Sequence, residues 1–309
     1  MEDPADYCAQ AVNCYETNPK RAVALFQFAA DLGSPEGCFG LAEMKMNGMG
    51  TPRDIEGAVE LYTKSAEAGN APAMFRLGSI YTGSYGYPED KVLCRQWFEM
   101  AADNGIDLAC PEIAAIYLYG YGGEPDPVKA YRYYMMAADA GDPQSMFMVG
   151  YMMAEGVGRE KDEACAARWF RLAADNGVPE AQFKVARMFE EGIIPGGNHE
   201  AFVWYTKAAE SGFDPAKFNL GTMYYEGKGV TQDFKTAYRL YDEVAASGDG
   251  DALFMTARML YEGLGVDQDM EKALERFGRS AMAGNKLSQE FLEGLRRRQN
   301  TQFVKIDGL

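Results

Sequence analysis

Histidine, cysteine and acidic side chains carry most of the chemistry that proteins do, and this sequence is poor in the first of them. Its single histidine, His199, excludes a mechanism that uses a histidine pair and a metal site with two histidine ligands. The six cysteines form no C-x-x-C pair and no fixed spacing, which indicates reduced, packed thiols and not a zinc site. Carboxylates are numerous, but nothing in the sequence selects a pair for general acid–base catalysis. We therefore predict no catalytic residue, no bound metal and no cofactor.

Glycine-rich turns and tryptophans are two further groups that could bind a ligand, the first a phosphate and the second a base or a sugar. None of the Gly-x-Gly turns continues as the Gly-Lys-Ser/Thr of a P-loop or follows a strand pattern, so we interpret them as helix ends. The three tryptophans, Trp97, Trp169 and Trp204, all stand eight residues before a recurring glycine, which indicates a packing position. The sequence gives no reason to expect a small-molecule ligand.

The charge of the chain narrows the classes of partner. A formal net charge of -16, with 46 acidic against 30 basic residues, disfavours nucleic acid and anionic lipid, because both require clustered Lys and Arg. There is no run of about 18 apolar residues, so membrane insertion is not predicted. The acidic segment 1–6 has no apolar stretch of a signal peptide behind it, and we predict a cytoplasmic protein, with a removed signal peptide as the alternative.

A regular repeat organises the sequence. Eight glycines recur at spacings of 35 or 36 residues, with alanine always three positions before them and an aromatic residue always seven positions before them. The glycines stand at positions 33, 69, 105, 141, 177, 212, 248 and 284. The aromatic residues are Phe26, Tyr62, Phe98, Tyr134, Phe170, Tyr205, Tyr241 and Phe277. Such a period indicates an array of repeated structural units.

Each repeat contains two predicted helices. Positions 11, 8, 7, 4 and 3 before the glycine share one arc of a helix, and an Asp or Asn four residues further back suits an N-cap, except at Gly197. The glycine itself suits the left-handed stop of this first helix, which is then about 13–14 residues long. A second helix follows, often with proline in its first turn, and ends at a tyrosine–glycine turn.

The residues 201–212 and 218–230, which read AFVWYTKAAESG and FNLGTMYYEGKGV, resemble the Sel1-like repeat, a longer-looped relative of the tetratricopeptide repeat. The resemblance covers about residues 20–285. It implies an all-α fold, a right-handed α/α superhelical solenoid of about eight helical hairpins, and a role as an adaptor in multiprotein complexes. Cysteine-rich bacterial members carry a disulfide within each hairpin. That disulfide is not expected here, because Cys38 and Cys110 would face Ala30 and Ala102.

The ends of the array and two of its repeats depart from this pattern. We predict an N-terminal capping helix in residues 1–19, the repeat array in 20–285, and a C-terminal capping helix with a basic tail in 286–309. Pro111 predicts a second helix of repeat three that starts late or kinks. The segment Gly192–Asn198 replaces the usual turn of repeat five. The arginines at 296, 297 and 298 could be solvated, dock on the chain itself or bind a partner.

One stripe of the first helices, at 9, 5 and 2 residues before the glycine, points away from the core arc. Most repeats place a charged residue or a short side chain there, but repeats three, four and five carry Met100, Met136 and Leu172 five residues before the glycine. Single exposed apolar residues need no explanation, whereas three in register predict a continuous binding strip. Arg132 and Arg168 stand one turn earlier on the stripe, which predicts an apolar partner segment with acidic groups nearby.

Three functions were weighed from these features. The favoured one is a protein–protein interaction scaffold or adaptor that binds a partner segment in the concave groove. The alternative is a regulatory or inhibitory subunit of an enzyme complex, which differs only in the consequence of binding. A hydrolase is disfavoured, because the single histidine and the structural use of the glycines and aromatic residues leave no catalytic set.

Overall fold

The computed structural model describes residues 3–306, with side chains described up to residue 297. In this part of the chain all regular structure is α-helical, and two compact units are distinguished, residues 1–166 and 167–309. The first unit contains α1 (Pro4–Cys14), α2 (Pro19–Asp31), α3 (Pro35–Asn47), α4 (Ile55–Glu67), α5 (Ala71–Ile80), α6 (Lys91–Asp103), α7 (Ala109–Tyr119), α8 (Pro127–Asp139) and α9 (Pro143–Glu155). The boundary lies within α10 (Glu163–Asp175). The second unit continues with α11 (Pro179–Glu190), α12 (Asn198–Glu210), α13 (Asp214–Glu226), α14 (Phe234–Ala245), α15 (Gly250–Glu262), α16 (Met270–Met282) and α17 (Lys286–Ile306).

The even-numbered helices from α2 to α16 are the predicted first helices of the repeats, and they begin where the sequence places an N-cap. The capping side chain accepts a hydrogen bond from a backbone N–H two or three residues ahead, which satisfies a donor that the helix itself cannot pair. The capping residues are Asn18, Asp54, Asp90, Asp126, Asp162, Asp233 and Asp269. Gly197 makes no such side-chain bond, as predicted. The predicted caps are therefore confirmed.

The recurring aromatic residues form the core and also join neighbouring repeats. All eight are at most 6% exposed. In five cases the ring packs against the phenylalanine of the preceding repeat that stands six residues after its glycine, at centroid distances of 5.1–5.9 Å, which is the range of favourable ring contacts. These pairs are Phe39 with Tyr62, Phe75 with Phe98, Phe183 with Tyr205, Phe218 with Tyr241, and Phe254 with Phe277. A repeat thus completes its core with its neighbour, as expected for such arrays.

The Gly-x-Gly turns have a second role besides ending a helix. Gly156 ends α9 in the left-handed conformation, which confirms the interpretation of the first glycine as a helix stop. Gly158, the second glycine, also has a positive φ of 75°, and a Cβ atom there would overlap the carbonyl oxygen of Pro127 at the start of α8. The second glycine therefore allows the loop to close against the first helix of its own repeat.

Repeat three departs from the others as Pro111 predicts. Its second helix, α7, begins four residues after Gly105, whereas the other second helices begin two residues after their glycines. Leu108 at the N-cap position makes no side-chain cap, and Pro111 falls in the first turn, where proline is tolerated. The late start is confirmed.

The terminal helices pack onto the adjoining repeats. Ala11 of α1 is fully buried in one cluster with Ala22, Phe26 and Leu41. In the second unit, Phe291 of α17 stacks on Phe277 with 4.1 Å between ring centroids. Among the helices described, none is both long enough and apolar enough to cross a membrane.

Candidate functional site

The groups with the greatest chemical potential take part in structure. His199 lies in the first turn of α12, is exposed, and has its Nδ1 atom 3.3 Å from the carbonyl oxygen of Gly229. Trp204 is 5% exposed, and Arg171 and Lys207 lie over its ring at 4.9 and 3.9 Å from the centroid. Trp97 and Trp169 are half-buried. Within residues 3–297 no group of three His, Cys, Asp or Glu side chains could hold a metal ion.

The outward stripe exposes the apolar residues that the sequence singled out. Met100, Met136 and Leu172 are 41%, 40% and 43% exposed, while the alanines that directly follow them on the core side are buried. Arg132 and Arg168 are exposed as well. Met100 and Met136 belong to the first unit and Leu172 to the second, so a single strip through all three stays a prediction.

Within the first unit, a salt bridge connects the surroundings of the two methionines. Arg132 on α8 places Nη2 3.1 Å from Oδ1 of Asp103 on α6. Asp103 follows Met100 by three residues and Met136 follows Arg132 by four, so each pair shares a helix face. We call these four residues, Met100, Asp103, Arg132 and Met136, the methionine patch. It extends over two successive first helices and remains open to solvent.

Tyr133 supports this patch from below. It is fully buried, its hydroxyl donates to Oδ1 of Asp103 at 2.9 Å, and the Arg132 guanidinium lies 4.6 Å from its ring centroid. Burial and the hydrogen bond to Asp103 raise the pKa of Tyr133, so the hydroxyl stays a proton donor. Asp103 and Arg132 are therefore held in position by a rigid group.

A second polar cluster fixes α6 and α8 against α7. The Lys129 ammonium lies 2.8 Å from both Oε1 of Glu99 and the hydroxyl of Tyr117, and that hydroxyl donates to Glu99. Tyr117 also stacks on Tyr133, with centroids 6.0 Å apart and an interplanar angle of 9°. Burial alone would raise the pKa of Glu99, but the hydrogen bonds from Lys129 and Tyr117 outweigh it and lower the pKa. Glu99 thus stays ionised and the cluster stays intact.

Two features of the stripe were missed from the sequence. The expectation of an acidic partner was based on free arginines, but Arg132 is already paired with Asp103. The recurring acid two residues before the glycine was the available signal, since Asp103 is one of that series. Phe28 in α2 occupies the same slot as Met100 and is 57% exposed, with its ring 5.9 Å from that of Tyr7.

Successive helical hairpins, closed by glycine turns and joined by aromatic pairs, define an α-helical repeat protein of the solenoid class. The model of the Sel1 repeat matches eight successive segments, 13–34, 35–70, 71–106, 108–142, 143–178, 179–213, 214–249 and 250–285. The chain therefore belongs to the Sel1 repeat family. The resemblance stated from the sequence is confirmed.

Solved structures of similar fold agree with this assignment. A Sel1 repeat protein from Oxalobacter formigenes is 27% identical, with a TM-score of 0.74 over 95% of this chain and 86% of that one. A protective antigen of uropathogenic Escherichia coli with an SLR fold is 24% identical, with a TM-score of 0.69 over 96% of this chain and 73% of that one. No curated protein sequence matches the chain. Repeats of this kind generally serve as protein-interaction scaffolds and are typically not enzymes.

Proposed function

We propose that this protein is a non-catalytic interaction scaffold that holds a segment of a partner protein against the exposed face of its first helices. The observation that supports this most strongly is the methionine patch, where two exposed methionines on successive helices are supported by a rigid polar network. Leu172, with Arg168 one turn earlier, is proposed as the corresponding contact of the second unit. We also propose a cytoplasmic location, in keeping with the buried thiols of Cys94 and Cys110.

The chemistry of the patch suits recognition of an apolar side chain. Methionine is flexible and polarisable, and it adapts its shape to a partner. Asp103 and Arg132, whose side chains are 50% and 58% exposed, stand between the two methionines. In protein interfaces a few apolar anchors usually dominate the binding energy, and partly exposed charges around them contribute more to association rate and register.

The alternative function is a regulatory or inhibitory subunit of an enzyme complex. It would use the same face and differ only in what binding does to the partner. A hydrolase is less well supported, because His199 faces a backbone carbonyl and has no nucleophile beside it among the described residues.

The test is affinity capture from an extract of the native source, followed by affinity measurement with the partner identified. Met100→Asp combined with Met136→Asp should lower the affinity at least about 100-fold, since truncated or charged anchors commonly cost more than 2 kcal/mol. Met270→Asp with Met282→Asp is the matched control, because these methionines are 46% and 89% exposed and receive the same charges.

The control variant should bind as the wild type does, and both variants should keep the helical circular dichroism and the melting temperature. If the patch variant is folded and still binds with wild-type affinity, the partner site lies elsewhere. Leu172→Asp, measured alone, tests the proposed contact of the second unit in the same way.

A further inference from the structure

The stripe of the first unit carries more acid than base. In α2, α4, α6 and α8 the positions 9, 5 and 2 residues before the glycine include five acidic residues and two basic ones, all of them exposed. The acids are Asp31, Glu60, Glu67, Asp103 and Asp139, and the bases are Lys64 and Arg132. The face that exposes Met100 and Met136 is therefore negatively charged.

The charge next to the methionine patch is not balanced locally. Arg132 is occupied by Asp103 at 3.1 Å, so this pair adds little net charge. Asp139 follows Met136 by three residues on the same helix face and is exposed. Among the residues described, neither Asp139 nor Glu67 forms an ion pair. An occupant of the patch thus meets two apolar side chains and an unpaired carboxylate.

This combination selects between partner chemistries. An acidic segment would be brought next to Asp139 and Asp103, and like charges at an interface are costly unless they separate. A basic segment would instead place a cation against Asp139 while its apolar side chains cover Met100 and Met136. The net charge of -16 acts in the same direction at long range, because it attracts cationic chains.

We propose that the segment held at the methionine patch is a basic amphipathic peptide of a partner protein, with large apolar residues on one side and Lys or Arg on its flanks. This proposal rests on the proposed function and deepens it. It replaces the sequence-based expectation of acidic groups in the partner, which required Arg132 to be unpaired.

The test is selection of a phage-displayed library of random peptides on the immobilised full-length protein. The variant Met100→Asp with Met136→Asp is used in parallel. Enriched peptides should be basic and contain at least two large apolar residues, and they should be lost on the variant. Synthetic copies should bind about tenfold more weakly when the salt concentration is raised from about 0.05 to 0.3 M, because screening weakens exposed charge pairs.

Charge reversal tests the carboxylate directly. Asp139→Lys should weaken the selected peptides about fivefold to tenfold, whereas Glu112→Lys should not. Glu112 is an exposed acid on α7 of the same unit, outside the stripe. Equal effects of the two substitutions would overturn the proposal, because only the general charge of the protein would then matter.

The outcomes separate this inference from the proposed function. Neutral or acidic peptides that still require the two methionines would overturn the inference and leave the scaffold function standing. Peptides that bind the methionine variant as well as the wild type would contradict both at this patch. If no peptide is enriched, the inference fails, and the scaffold function is judged by the capture experiment alone.

Discussion

Tyr205 shows how one residue of the repeat combines packing and hydrogen bonding. It is fully buried, and its ring lies 5.6 Å from that of Phe183 in the preceding repeat. Its hydroxyl donates to Oε2 of Glu190 at 2.8 Å and accepts from the amide of Asn219 at 3.0 Å. Burial is the largest cause of the raised pKa of Tyr205, so the hydroxyl remains protonated. The ring fills the core and the hydroxyl links three helices.

Two substitutions at Tyr205 separate these contributions. Tyr205→Ala should lower the free energy of unfolding by about 3–5 kcal/mol, because it removes a buried ring and leaves a cavity. Tyr205→Phe keeps the ring and should cost only about 0.5–1.5 kcal/mol for the lost hydrogen bonds. Urea denaturation of the three proteins measures both values. Equal losses for the two variants would show that the hydroxyl, and not the ring, holds this position together.

The helix caps are the features that define the elements. Asp233 begins α14, where its Oδ1 accepts from the backbone N–H groups of Lys235 and Thr236. The hydroxyl of Thr236 donates to its other oxygen at 2.6 Å. These bonds, first of all the one from the Thr236 side chain, lower the pKa of Asp233, since they favour the charged form. The caps Asp54, Asp162 and Asp269 also have lowered pKa values.

A lowered pKa makes the cap sensitive to acid. Because the folded pKa of Asp233 lies below the unfolded value of about 3.9, its stabilising contribution is complete above about pH 4 and is lost as the pH falls through the folded value. Asp233→Asn can still cap the helix but does not titrate. The difference in unfolding free energy between wild type and Asp233→Asn should therefore be constant from about pH 5 to 7 and shift against the wild type below about pH 4. A difference that is independent of pH down to pH 2 would contradict this account of the cap.

The elements were largely predictable from sequence, and the contacts between them were not. The caps and the periodic glycines gave the helix bounds, and Pro111 gave the late start of α7, because these signals act within a few residues. The contact of Gly158 with Pro127 and the pairing of Arg132 with Asp103 join residues about 30 positions apart. Such contacts depend on how hairpins pack, which the repeat period alone does not specify. The charge of the candidate site was misjudged for that reason.

Across the whole molecule, the repeats keep their buried positions alike and vary their exposed ones. The aromatic residue seven positions before the glycine is present in all eight repeats, whereas the slot two positions after it holds Met100 and Met136 in two repeats but Lys64 and Lys207 in two others. The buried positions are constrained by contact with the next repeat, and the exposed slot is free to differ. The account therefore assigns folding to the common positions and partner choice to the variable ones.

The most direct test of this assignment is methionine oxidation footprinting of the complex with the captured partner. Met100, Met136, Met270 and Met282 are all at least 40% exposed, so dilute peroxide should oxidise all four in the free protein. With the partner bound, oxidation of Met100 and Met136 should slow at least about fivefold, because the interface excludes water from its anchors. Met270 and Met282 should react at unchanged rates. If Met100 and Met136 are oxidised equally fast with and without the partner, the exposed face of the first helices is not the binding surface, and the central claim is wrong.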